Sequence, residues 1–247
     1  MKIAIIASGQ PRFCAETDTF LQNLTGYTQA EWFLHLWKEN SMQHLCGHNI
    51  VAPNWISVNQ EWALNKFKEN LPSNHKIAAL ELADHDSVTG LDPHRQPVGA
   101  YKMFRGNYQA DQLRRAYELK NDPYDLVIRI RPDLGLRDEC NLIEIKQFLD
   151  QKPDSIIITK DRVYPPWGEY RINDWFAIAK PAAMTTYCDA LNHIPKYSDV
   201  EFMAETMIAC HCIRNNLAIV EGNFHIDVRF LGNTVDNAYQ SEFGRWA

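Results

Sequence analysis

Arg129, Arg131 and Asp133 alternate at the end of segment 124–136, YDLVIRIRPDLGL. Two guanidiniums and a carboxylate gathered at one point suit a phosphorylated ligand. Arginine forks match phosphate oxygens, and a carboxylate can hold a divalent cation beside them. The competing reading of the same residues is an Arg–Asp ion pair closing off a strand. Three further places combine polar groups in comparable ways. In Ser8-Gly9-Gln10-Pro11-Arg12, Gly9 lets backbone N–H groups approach a ligand and Arg12 offers a phosphate a cation. An ordinary strand-to-helix turn reads the same way. In segment 162–174, Arg171, Asn173 and Asp174 follow Tyr164, Trp167 and Tyr170. Aromatic faces beside amide and carboxyl groups suit sugar rings, whose C–H faces stack while the hydroxyls take the polar groups. An exposed loop anchored by aromatics is the alternative. In SDVEFMAE, 198–205, Ser198 or Asp199 is a natural N-cap and Glu201 a first-turn acid complementing the helix dipole. The functional alternative turns Glu201 or Asp199 toward a cleft as a general base. His225 follows as a candidate metal ligand, against the commoner core or surface histidine.

These groups need a scaffold that brings them together, and the order of elements supplies one. Leu126, Val127, Ile128 and Ile130 read as a strand buried on both faces, and Pro132 cannot donate to a ladder, so pairing should stop there. Asp133 then sits past the carboxyl end of a strand, where open α/β sheets bind ligands. Period 2 puts Arg129, Arg131 and Asp133 on one side if the extended geometry persists through Pro132. Strands are expected at 2–7, 31–37, 76–82, 155–159, 174–179, 217–220 and 225–231. Helices are expected to about residue 24 and at 59–70, 102–120, 141–151, 181–192 and 199–215. EWFLHLW, 31–37, alternates apolar and polar side chains as a strand does. Mostly alternating strands and helices imply an α/β fold built on a helix-covered sheet. Segment 83–99 reads as a long loop, and the tail from Asn233 as a segment ordered against a ligand or partner.

With 247 residues the chain can form one large domain. A net charge of −6 argues against general nucleic-acid binding, which needs clustered Lys and Arg, while leaving room for a local basic pocket. No segment approaches the roughly 20 apolar residues of a membrane span, and 1–7 is too short for a signal-peptide core, so the expected location is the cytoplasm. The six cysteines are then expected as thiols. The clusters His44/Cys46/His48 and Cys210/His211/Cys212 lack the Cys spacing of structural zinc sites.

A glycine-containing turn after the first strand, an Asp after a middle strand, an acidic helix start and a later His together resemble the GT-A glycosyltransferase core. More narrowly, GQPR, FLHLW, the long helix into YDLVIRIRPDL, and INDWFAIAKPAAM resemble bacterial and viral polysaccharide-type glycosyltransferases. The resemblance implies a single Rossmann-like GT-A domain over 1–247, with a mostly parallel central sheet and helices on both faces. A nucleotide-sugar donor would bind the half spanning 1–136 and a glycan or saccharide acceptor the half spanning 137–247. Gly9, Arg12, Arg129, Arg131 and Asp133 would hold the donor. Asp133 takes the place of the last acid of an Asp-x-Asp metal motif, His225 that of a late metal-binding histidine, and Glu201 that of the acid at a helix start. Arg131 stands at the other acid position, which puts a Mn or Mg requirement in question. The implied reaction is glycosyl transfer to a hydroxyl, with the arginines stabilising the departing diphosphate and Glu201 or Asp174 taking the acceptor proton. Rival readings are a sugar nucleotidyltransferase and a non-catalytic carbohydrate-binding protein on the same fold.

Overall fold

The computed structural model describes residues 1–9, 21–38, 60–84, 98–132, 134–159, 172–197, 199–200 and 203–228. Its centre is β5 (Leu126–Ile130), buried at every position as its β-rich sequence requires. With it pair β1 (Lys2–Gly9), β3 (Gln29–Lys38), β4 (His75–Asp84), β8 (Ser155–Ile158), β9 (Phe176–Ala179) and β10 (Ala218–Glu221). The seven strands run β10-β8-β9-β5-β1-β3-β4, and only β9 is antiparallel to its neighbours. Two short pairs flank this sheet: β2 (Leu24–Thr25) with β7 (Cys140–Asn141), and β6 (Leu134–Leu136) with β11 (Ile226–Val228).

Six helices complete the described fold: α1 (Gln60–Glu69), α2 (Val98–Glu118), α3 (Leu142–Gln151), α4 (Pro181–Cys188), α5 (Ala190–His193) and α6 (Ala204–Arg214). The pleat divides their packing. Ala4, Ile6, Phe33, Val127 and Ala177 share one core with Phe104 of α2, Met184 and Tyr187 of α4, and Met207 and Cys212 of α6. Ile5, Leu34, Ile128 and Ile178 share the opposite core with Leu64 and Phe67 of α1, Leu142 and Leu149 of α3, and the β6–β11 pair. The protein is thus an α/β fold with a mixed, mostly parallel sheet covered on both faces. Among the described residues no helix is long and apolar enough to cross a membrane.

The strand expected at 31–37 lies within β3, and the polar side chains of its alternation are buried as well: Glu31 and His35 are each 1% exposed. Glu31 is held there by Lys2 at 3.4 Å, Lys76 at 2.9 Å and the Tyr124 hydroxyl, and these partners keep its carboxyl below the usual range despite burial. The extended geometry of β5 does not continue through Pro132. The Leu134 N–H donates to the Arg131 carbonyl at 3.3 Å, so the chain turns at once into β6. The last helix begins at Ala204 with Met203 as N-cap, so Asp199 does not cap it. Asp199 accepts from the Arg214 Nη2 at 2.6 Å instead, at the surface.

Helix α2 carries a buried polar line, Asn107, Asp111 and Arg114, at helical spacing. Arg114 donates through Nε to Asp111 Oδ1 at 2.9 Å and through Nη2 to Thr185 Oγ1 at 2.7 Å, and it pairs with Glu118. That arrangement ties α2 to α4 across the sheet face. Arg114→Met is expected to lower stability by about 3–5 kcal/mol, because Asp111 would be left as an uncompensated buried acid. The urea midpoint measures it, and the double variant Asp111→Leu/Arg114→Met should recover part of the loss.

Candidate functional site

Six parallel strands end on one rim of the sheet, and antiparallel β9 begins there. Ser8 and Gly9 of β1, Arg129 and Arg131 at the end of β5, Thr159 after β8, and Asp174 and Trp175 before β9 therefore share that rim. Next to β1 on one side lies β3, its successor in the sheet, while β5 lies on the other side and leads to β8 and β9. Such a divergence between neighbouring strands is the topological switch point at which open α/β sheets bind ligands. The backbone there is shaped by Gly9, whose φ of +130° side-chain-bearing residues rarely adopt, and a Cβ at Gly9 would lie 3.8 Å from Pro132 Cδ.

Arg129 is the unusual group. It pairs in register with Ile6 of β1 and Ala177 of β9, so its side chain enters the core on the α2–α4–α6 side, where it is 1% exposed. Its Nε donates to Asn107 Oδ1 at 3.0 Å, while neither Nη1 nor Nη2 has a hydrogen-bond partner among the described residues. Around it the same condition recurs: among the described residues, Asp174 Oδ1 and the Tyr187 hydroxyl are buried without partners. Arg129 acts electrostatically on both. Burial pushes the Asp174 carboxyl up to about 6, and Arg129 is the strongest influence opposing that shift. Burial likewise raises the Tyr187 phenol. The first turn of α6 borders this corner, since the Ile172 N–H donates to the Glu205 carbonyl at 3.5 Å and Thr206 Oγ1 is buried and unpartnered.

The inventory is rich in donors. The two terminal nitrogens of Arg129 carry four N–H groups, and Tyr187 adds an O–H, against the single open carboxyl oxygen of Asp174. A buried guanidinium left in this state costs several kcal/mol, and an acceptor-rich anion such as a phosphate group offsets that cost. Arg131 stands farther out: its N–H donates to the Trp175 carbonyl at 3.1 Å, and its guanidinium lies over the Trp175 ring, 4.4 Å from the centroid. Asn173 accepts the Trp175 N–H at 2.8 Å, an Asx turn that sets the chain up to enter β9.

The structure therefore brings Gly9, Arg129, Arg131 and Asp174 to one rim. His225 is elsewhere. Its carbonyl accepts from the Arg137 N–H at 3.0 Å, and Leu136 pairs with Ile226 while Leu134 pairs with Val228. The ribbon thus separates His225 from the β5 end by three strand residues, about 10 Å at strand rise. The His225 ring is engaged through Nδ1 with Asp138 at 2.7 Å, and Asp138 also accepts the His225 N–H at 2.9 Å. Among the described residues no group of three His, Cys, Asp or Glu side chains could hold a metal ion. His211, in the Cys210–Cys212 cluster, has both ring nitrogens occupied, by the Tyr197 hydroxyl and the Thr186 carbonyl. Arg12, Asp133, Glu201, Arg171, Tyr164, Trp167 and Tyr170, with the His44/Cys46/His48 cluster, lie outside the described residues.

Sequence reasoning missed Asn107 and Tyr187, and it placed Ser8 in the glycine-containing turn without giving its side chain a role. Asn107 sits within a long helical pattern where a polar residue reads as solvent-facing, and only the length of the helix hinted that part of its polar side is covered. No protein-family model matches this chain, and no curated protein is detectably similar to it.

The weakened acidity of Asp174 has a definite sign in the stability of the fold. The folded value of about 6 lies above the ordinary 3.8, so the folded protein binds this proton more readily than the unfolded chain. Its contribution is fully present at low pH and is lost as pH rises toward and through 6. Asp174→Asn, which mimics the protonated acid, should match wild-type stability near pH 4 and exceed it by roughly 3 kcal/mol at pH 7.5. Denaturant titrations of both proteins across that range measure the difference.

Proposed function

We propose that the protein is a glycosyltransferase with a Rossmann-like GT-A domain, moving a sugar from a nucleotide-sugar donor to a hydroxyl of a glycan or saccharide acceptor. The observation that supports it most is the buried Arg129 guanidinium at the β1–β5 switch point, whose two terminal nitrogens have no hydrogen-bond partner among the described residues. A departing diphosphate supplies the acceptor oxygens that this fork lacks. The strand order β4-β3-β1-β5 also supports it, being the 3-2-1-4 order that spans the switch point of a doubly wound sheet. In this reading residues 1–136 bind the donor and 137–247 contribute the acceptor side.

The chemistry follows from charge development. As the bond between the anomeric carbon and the diphosphate oxygen breaks, negative charge grows on the leaving group and positive charge on the sugar. Arg129, fixed in a low-dielectric setting, stabilises the former more strongly than a solvated cation would. Arg131, stacked on Trp175, offers a second guanidinium farther out on the same rim. Asp174, once ionised, takes the proton of the acceptor hydroxyl as its oxygen bonds to the anomeric carbon. Asp133, the residue expected to hold a divalent cation beside the diphosphate, lies outside the described residues, and no step is routed through a cation.

This reading predicts a trade between stability and binding. Arg129→Met removes a poorly compensated buried charge but also the charge that opposes burial of the Asp174 carboxylate, so the ligand-free variant should be at least as stable as wild type near pH 5, where Asp174 is protonated, and lose that gain toward pH 7.5. Millimolar nucleoside diphosphates, tested as a panel of bases in a thermal-shift assay, should stabilise wild type, by about 2.7 kcal/mol for a base present at 100 times its Kd. The variant should show no shift. A shift with simple saccharides and none with any nucleotide would instead support the carbohydrate-binding reading.

A further inference from the structure

We propose that Asn107, together with Ser8, is a positioning device for Arg129: it fixes the Nε end of the guanidinium by a neutral bond and leaves the charged fork free for an anionic ligand. The inference begins at Gly106. A Cβ there would lie 2.9 Å from Ser8 Cβ and 3.1 Å from its Oγ, closer than real Cβ atoms ordinarily come. Glycine thus lets α2 approach the end of β1 more closely than any other residue would. That seating puts the Asn107 amide oxygen 2.7 Å from Ser8 Oγ, whose hydroxyl donates to it, and 3.0 Å from Arg129 Nε. All three side chains are buried, at 4%, 2% and 1% exposure for Ser8, Asn107 and Arg129. A carbonyl oxygen has two lone pairs, and both are taken. The oxygen therefore cannot swing away from Arg129 without breaking its bond to a central strand.

The chemistry of residue 107 is the informative part. An aspartate there would hold Nε equally well, but it would neutralise the guanidinium from behind. An asparagine orients the group and leaves its full charge directed at whatever faces Nη1 and Nη2. The relay joins three elements, β1, α2 and β5, at the strand pair where the sheet topology diverges. Asp174 and Tyr187 are the groups on which Arg129 acts electrostatically. Asn107 touches no ligand in this account and acts through Arg129.

The geometry and its use are tested separately. Arginine side-chain NMR on the free protein reads the Arg129 Nε–H directly. Its exchange with solvent should quicken about tenfold or more in Asn107→Leu, the loss of roughly 1.4 kcal/mol of protection, and should stay slow in Asn107→Asp. Ser8→Ala, which removes one donor from an otherwise intact site, should quicken it by a smaller factor and guards against misfolding of the leucine variant. Unchanged exchange in both Asn107→Leu and Ser8→Ala overturns the relay whatever the protein binds. Calorimetric titration with nucleoside diphosphates then addresses the use of the relay, which rests on the function proposed above. Both Asn107→Leu and Asn107→Asp should lose about tenfold in diphosphate affinity, the first through lost orientation and the second through neutralised charge. Affinity for the unphosphorylated nucleoside should not change. Equal loss for nucleoside and diphosphate, or full diphosphate affinity in Asn107→Asp, overturns the charge-sparing role. Absence of diphosphate binding by wild type, with the exchange result intact, would overturn the functional reading and leave the relay standing.

Discussion

An arginine buried in the middle of a sheet needs a reason, and the rest of this structure is arranged around that of Arg129. Its position one residue from the end of β5 puts the side chain between the sheet and the α2–α4–α6 layer. Water cannot solvate it there, so every kilocalorie of its desolvation has to be offset by fixed partners. Asn107 supplies one hydrogen bond. Asp174 supplies an opposite charge, but without a hydrogen bond and with its own acidity weakened by burial. A pair intended only for stability would be closed by a bidentate contact, as arginine and carboxylate readily form. Arg114 shows what that looks like in the same protein: equally buried, it is bonded to Asp111, Glu118 and Thr185. The contrast between two equally buried arginines is a chemical one, in that Arg114 is satisfied while the Nη1 and Nη2 of Arg129 have no hydrogen-bond partner among the described residues.

The surrounding elements position that open side. Antiparallel β9 brings its entry segment, 172–175, to the same rim as the ends of the parallel strands, which is how Asp174 comes to face a residue far from it in sequence. Gly9 and Pro132 shape the two strand exits that flank the switch point. The Arg131–Trp175 contact extends the β5–β9 ladder by one residue and carries cationic character outward from the buried fork. A gradient from an enclosed guanidinium to a rim-level one suits a long, charged ligand entering lengthwise, with its most acceptor-rich part innermost.

Much of the architecture was legible in the sequence because it rests on local pattern. Hydrophobicity at 126–130 interrupted only by Arg129 identified a strand covered on both faces, and alternating strands and helices identified the α/β class. Arg129, Arg131 and Asp174 were legible for the same reason, since their distance from a strand end fixes their place on the rim. Other features depend on contacts between distant segments. Asn107 and Ser8 are 99 positions apart, and nothing local marks either as a partner of Arg129. His225 looked like a metal ligand by order along the chain, but the register of the β6–β11 ribbon places it beside Arg137 and its ring is bonded to Asp138. Asp199 looked like a cap because its residue type favours one, yet the helix starts five residues later and a surface arginine takes the carboxylate. Residue type states what a group can do; tertiary register decides what it meets.

The central claim is that the open fork of Arg129 receives the diphosphate of a nucleotide-sugar donor. A crystal structure of the protein with a bound nucleoside diphosphate tests it most directly. The account predicts phosphate oxygens within hydrogen-bond distance of Arg129 Nη1 and Nη2, with the Nε–Asn107 bond retained. A diphosphate bound at another place, with the Arg129 fork still untouched, would contradict it.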